Sequence, residues 1–293
     1  MGKAERNRRQ SAREKIAAQQ AAERRTQKRR QTLMAGGSVL AVLAIVAALI
    51  IVKSLNKASA GSNTGTVSAS TVSQVTSVPA ATLAAVNTGS SNPKTLIPIT
   101  GPALTSNGKP EVLYMGAEYC PFCATERWAM AVALSRFGTF SGLSFIHSSG
   151  SDTPASIPTL TFYKSTYTSK YLTFTPVEMQ KVDKSTLQKP STAQNALLAK
   201  YDVPPQVPQG YNGSIPFVDF GNKYMISGAS YSYTVLQGKT YAQIATALQD
   251  PSSDIAKGAD GTANYITAAI CKLTDNQPAT ACTATVKAIE AGL

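Results

Sequence analysis

Two cysteines, Cys120 and Cys123, stand three positions apart where one hydrophobic pattern gives way to another. Residues 111–116 (EVLYMG) form a short, mostly apolar run suited to a buried strand. Residues 124–137 (ATERWAMAVALSRF) are rich in helix formers, with apolar groups on more than one face, as expected of a helix well covered by its fold. Gly138 is a natural stop. Pro121 suits the first helical position, because it has no amide hydrogen to leave unpaired. Cys120 therefore lies just before the first turn, where free amides and the positive helix end favour a thiolate. Cys123, inside the helix, can reach back to close a disulfide.

A magnitude sets the meaning of such a thiolate. Lowering a thiol from about 8.5 to about 7 raises the ionised fraction at neutral pH roughly 15-fold. Weaker nucleophilicity returns about 5-fold of this, leaving a net gain near 3-fold. The larger consequence is a better leaving group and a stabilised reduced form. Other uses of the pair fit less well. Haem attachment requires a histidine next, where Ala124 stands. A four-cysteine zinc site requires a second close pair, but ten residues separate Cys271 from Cys282. A purely structural disulfide is the remaining alternative to redox exchange, and no metal ligand set or cofactor is expected.

Charge is concentrated at one end. The chain of 293 residues has 28 Lys and Arg against 16 Asp and Glu. Eleven of the basic and three of the acidic residues fall within positions 1–33, so positions 58–293 are nearly neutral. No nucleic-acid footprint is indicated on the folded part. With His147 as the single histidine, sites needing two imidazoles are excluded.

Residues 33–52 are twenty positions without a charge, about 30 Å as a helix and enough to span a bilayer. The basic excess before them places residues 1–32 in the cytoplasm and everything after residue 52 outside. The alternative is a cleavable signal, for which 58–60 (ASA) resembles a cleavage site. The length of the apolar run, the long basic region, Lys53 and Lys57 favour an uncleaved, single-pass anchor in the cell membrane. Residues 53–76 read as a flexible tether, and 77–86 as a short helix.

The order of strand, AEYCPFC and long helix resembles the thioredoxin superfamily, and CPFC is similar to the Cys-Pro-aromatic-Cys of glutaredoxins. More narrowly, residues 116–140 (GAEYCPFCATERWAMAVALSRFGTF) resemble a family called domain of unknown function nine-two-nine, which has no assigned activity. The resemblance implies an α/β fold, a thioredoxin-like mixed sheet with flanking helices, over residues 77–250. It also implies a cis-proline loop facing the cysteines. Residues 214–229 (SIPFVDFGNKYMISGA) match it as proline, strand, Gly-Asn turn and strand, which assigns the role to Pro216 and substrate contacts to Ile215. Pro158, after Ser156 and Ile157, is the rival. Tyr119, Pro121 and Phe122 would complete the substrate rim. This chain departs from thioredoxins in carrying Tyr114 where they bury an acid, and Tyr119 where they carry Trp.

Glu118 and Glu126 are positioned to relay protons to the resolving thiol of Cys123. Glu126 reads better as a solvated acid at a helix start, which leaves Glu118 as the candidate. Arg127 reads as a surface or salt-bridge residue, Trp128 as core and His147 as structural. A strand at 142–148 should follow, then an insertion at about 150–210 with a helix at 192–201, then a last core helix at 239–249. Residues 251–293 read as a helical pair, 262–273 and 279–291, tied by a Cys271–Cys282 disulfide, with a second redox relay to Cys123 as the alternative. The expected function is thiol–disulfide exchange with protein thiols or disulfides of secreted or envelope proteins, aided by a membrane redox partner. The alternatives are a non-catalytic binding module or copper(I) delivery through the two thiolates.

Overall fold

The computed structural model describes residues 69–92 and 94–293. The basic segment 1–32, the apolar span 33–52 and the first part of the tether lie outside the described residues. Among those described, no helix is long and apolar enough to cross a membrane.

The described residues form an α/β domain on a six-stranded mixed sheet. Strand β3 (Lys109–Gly116) is its centre. From Val112 to Gly116 every residue is buried. Both sheet faces are covered here, which explains the unbroken apolar run. The short strands β1 (Ile97–Pro98) and β2 (Thr105–Ser106) precede it. Asn107 and Gly108, both at positive φ, turn β2 into β3. Helix α3 (Pro121–Ser135) follows, after two short helices α1 (Ala69–Thr76) and α2 (Ala80–Val86). The strand parallel to β3 is β8 (Thr173–Glu178), with Glu111 opposite Thr173 and Gly116 opposite Glu178. On its other side β3 pairs antiparallel with β9 (Phe217–Phe220), which turns through Gly221 and Asn222 into β10 (Tyr224–Ser227). The two central positions of that turn lie at positive φ, which Gly and Asn tolerate best. β1 closes the sheet edge against β10.

Alternation along β3 divides the core. Val112 and Tyr114 face a layer with Trp128, Leu134 and Phe162, while Leu113 and Met115 face Val177, Tyr201 and Phe217. α3 is buried from Cys123 through Leu134. This matches the apolar groups seen on more than one of its faces.

Several expected elements lie elsewhere. The strand expected at 142–148 is β5 (Ser144–His147), which pairs with β6 (Pro158–Thr161) in a separate small sheet. A second such pair is β4 (Gly138–Ser141) with β7 (Thr166–Ser169). The segment 150–210 is thus not one insertion, because β8 lies within it, at the heart of the main sheet. Thr, Pro and Glu in β8 hide this from an apolar count, yet Phe174, Val177 and Glu178 are buried. Helix α4 (Thr192–Tyr201) falls where 192–201 was expected and opens on a Ser191–Gln194 capping box. Part of the expected tether is also structured: α1 buries Thr71 and Val75.

Helix α5 (Tyr241–Ala247) precedes α6 (Asp254–Leu273) and α7 (Ala284–Glu290). α6 starts eight residues before the expected 262. Gly258 and Gly261 read as helix breakers. Here they admit close neighbours instead: a Cβ at Gly258 would stand 2.6 Å from the Tyr231 ring, and one at Gly261 would meet the Thr88 carbonyl. A Cys271–Cys282 disulfide joins α6 to the turn before α7. Its sequence separation of 11 corresponds to about 3 kcal/mol of loop-closure entropy. Cys271→Ser with Cys282→Ser should lower the melting temperature by roughly 6–12 °C, read by calorimetry on the oxidised protein.

Candidate functional site

The site lies at the C-terminal end of β3, where the chain leaves the sheet and starts α3. Cys120 is the N-cap of α3, extended at φ −72° and ψ 122°, and Pro121 follows at the first helical position. The Cys123 amide donates to Cys120 Sγ at 3.2 Å. The Ile215 carbonyl oxygen lies 3.6 Å from the same sulfur. Both cysteines are free thiols.

The two sulfurs are in opposite electrostatic situations. The Cys120 pKa is lowered, first by a hydrogen bond from the Cys123 side chain. The Cys123 and Phe122 amides and the Arg127 charge act the same way, against the cost of burial. Burial pushes Cys123 well up, and its contact with Cys120 adds to this. Cys120 is the more acidic sulfur and keeps 4% exposure, whereas Cys123 has none.

Around them the structure gathers most of the expected residues. Ile215 packs against the cysteines, as does Tyr119. The Ile215–Pro216 bond is cis, and the buried Pro216 accepts from the Gly228 amide. The rival Pro158 instead begins β6, where its carbonyl accepts from Trp128 Nε1 at 3.0 Å. Phe122 is 43% exposed, with its ring edge-on to Tyr233 at 6.3 Å. The Lys184 ammonium lies 5.2 Å from the Tyr119 ring centroid. Glu118 is half-buried and accepts from the Thr161 hydroxyl at 2.8 Å. Burial raises its pKa, against that hydrogen bond.

Two residues depart from the sequence reading. Glu126 is not a solvated acid: it has no exposure and accepts from the Ser230 amide at 2.9 Å and hydroxyl at 3.0 Å. Burial raises it to about 7. The helix is covered even in its first turns, so a helix-start position no longer means water. Arg127 is a salt-bridge residue, one of its two expected roles, but a buried one. It donates from Nε and Nη2 to the two oxygens of Glu178, at 2.8 and 2.7 Å, and from Nη2 to the Ala117 carbonyl at 2.7 Å. The sequence reading did not name Glu178. The available signal was the position of Arg127 four residues after Cys123, on the same helix face. His147 bonds Tyr241 rather than a cysteine, at 2.8 Å. Among the described residues, no cluster of three or more His, Cys, Asp or Glu is placed to hold a metal.

A dithiol with one acidic and one buried sulfur, set against a peptide carbonyl, can exchange disulfides: the first sulfur is attacked or attacks, and the second displaces. A family model described as domain of unknown function (DUF929) matches residues 95–272, which include the whole site. No curated protein and no solved structure matches the chain.

The buried acids also determine a pH dependence. The folded pKa of Glu126, about 7, lies above its ordinary 4.5, and Asp260 is raised by burial to about 8. The folded state holds these protons more tightly than the unfolded one. Their stabilising contribution is complete below the ordinary carboxylate range and is lost as pH rises through about 7 and 8. The urea midpoint should fall between about pH 4.5 and 8. In Glu126→Gln this fall should be shallower, and an unchanged slope would contradict the assignment.

Proposed function

The chain belongs to the DUF929 family, and from its cysteine site we propose that it is a thiol–disulfide oxidoreductase acting on protein thiols and disulfides. The observation that carries this is Cys120 Sγ, held between the Cys123 amide at 3.2 Å and the Ile215 carbonyl at 3.6 Å. In the reducing direction, the Cys120 thiolate attacks a client disulfide and forms a mixed disulfide. Cys123 then attacks Cys120, the Cys120–Cys123 bond forms, and the client sulfur leaves as a thiol. The opposite direction reverses these steps. Amides at the N-terminus of α3 stabilise the Cys120 anion in either direction.

A thioredoxin-like reading of the fold supports the proposal. β3, α3 and β8 form a parallel crossover, and the Pro216 loop leads into the antiparallel β9–β10 pair. In this reading Ile215 and Pro216 offer backbone to an extended client, Tyr119, Pro121 and Phe122 line its path, and Glu118 exchanges protons with the site. The Cys271–Cys282 disulfide favours an oxidising compartment. With the 33–52 span as an uncleaved anchor, the domain faces outward and serves secreted or envelope proteins.

The near-complete burial of both sulfurs favours one second reading, a binding module whose cysteines are structural. Activity separates the two. Cys120→Ser should abolish insulin reduction or thiol oxidation by the purified protein, and Cys123→Ala should trap mixed disulfides on non-reducing gels. A binding module would show wild-type behaviour in both variants, with a Cys120–Cys123 bond that reductant opens only after unfolding.

A further inference from the structure

Cys123, Tyr114 and Arg127 are all fully buried, and two donors on the latter pair have no partner. The Tyr114 hydroxyl is buried and unbonded. It extends along β3 toward the site, so that a side chain at Gly116 would collide with it. Arg127 lies one helical turn from Cys123. Its Nε and Nη2 are committed to Glu178 and Ala117, but Nη1 is buried without an acceptor. The guanidinium carbon is 5.9 Å from the Tyr114 ring centroid. The Ala117 backbone links the groups, because its carbonyl takes Arg127 Nη2 while its amide serves Cys123.

A buried donor without an acceptor is costly, so two of them near one sulfur require an explanation. We propose that the Tyr114 hydroxyl and Arg127 Nη1 hold the negative charge that develops on Cys123 when it resolves a mixed disulfide. This rests on the exchange chemistry proposed above. In the free dithiol Cys123 is a neutral donor toward Cys120, and no anion is present for these groups to meet. Once Cys120 is bonded to a client, its own charge is gone. The Cys123 proton leaves for solvent, and the anion forms where water cannot reach it. Without fixed donors, desolvation would oppose that step. The Cys123 thiolate then attacks Cys120, the Cys120–client bond breaks, and its electron pair leaves on the client sulfur, which takes up a proton.

The charged and titratable groups facing Cys123 are Cys120 and Arg127 from α3 and Tyr114 from β3; Glu178 from β8 stands behind Arg127 and Tyr114, with Glu118 adjoining the Arg127–Glu178 pair. Arg127 opposes the upward push of burial on Cys123. Both Tyr114 and Arg127 are positioning residues, and their effect on Cys123 should appear in how it ionises.

The test uses the full-length chain with 13Cβ-labelled cysteine in a Cys120→Ser background, following the Cys123 resonance with pH. Tyr114→Phe removes an oxygen with no partner, so far-ultraviolet circular dichroism and the melting transition should be unchanged. It should leave about tenfold less Cys123 thiolate at a given pH. Arg127→Met with Glu178→Gln removes both charges at similar volume and should reduce it further, about tenfold or more. With both cysteines present, thionitrobenzoate loaded on Cys120 should be released about tenfold more slowly in Tyr114→Phe, while Cys120 alkylation is unaffected. Unchanged Cys123 titration in both folded variants would overturn the proposal. A shifted titration in a protein whose wild type never releases thionitrobenzoate would uphold the donor assignment and remove the exchange reaction instead.

Discussion

The Arg127–Glu178 pair fixes three segments at one point. Neither side chain is exposed, and the contact is bidentate. Arg127 belongs to α3, Glu178 ends β8, and the second Nη2 bond goes to Ala117, the residue that follows β3. Removing one partner of such a buried pair costs about 3–5 kcal/mol, because the other charge is left without compensation. A well-packed apolar pair of similar volume would serve stability as well, so net stabilisation is a weak explanation for it. Register is a better one. Glu178 is the partner of Gly116 in the parallel ladder. A slip of one residue would turn its carboxylate to the other face and strand Arg127. The pair therefore admits one alignment of β8 on β3, and the position of Cys120 over the end of the sheet follows from that alignment.

Legibility from sequence varied with how local the cause was. The junction at Cys120 depends on neighbours in sequence: an apolar run, a proline at the first helical position and a train of helix formers. The Gly221–Asn222 turn and the Ser191 capping box are equally local, and β9, β10 and α4 fall where those signals place them. β8 depends on tertiary context. Thr173, Thr175 and Pro176 do not resemble a central strand, and only pairing with β3 makes them one. The early turns of α6 are a further case. A run with Gly258, Asp260 and Gly261 has poor helix propensity, and it is helical because close neighbours need the missing side chains.

The same division holds at the site. Cys120, Cys123, Ile215 and Pro216 were visible through motif and resemblance, and they meet. Glu178 and the burial of Glu126 were not visible. Charged residues are normally exposed, so sequence reading places Glu126 in water and leaves Arg127 between the surface and a salt bridge. Glu126 is covered by the loop bearing Ser230, more than a hundred residues downstream, and Arg127 meets Glu178, 51 residues on. No window around the cysteines contains either partner.

Burial also gives the two cysteines their separate roles. Both belong to one turn of one helix, and the spacing alone does not say which sulfur is the more acidic. At Cys120 the hydrogen bond from the Cys123 side chain, joined by the free amides of the helix start, outweighs the cost of burial. At Cys123 there is no exposure, and desolvation outweighs the nearby guanidinium. Cys120 is therefore the more readily ionised of the two sulfurs, and it is the one with an outlet to solvent. In the proposed exchange, a client would meet the more acidic sulfur first. The second sulfur lies deeper, and its ionisation would become easier once a covalent bond had removed the charge beside it. The order of that proposed exchange would follow from depth, with no moving part required.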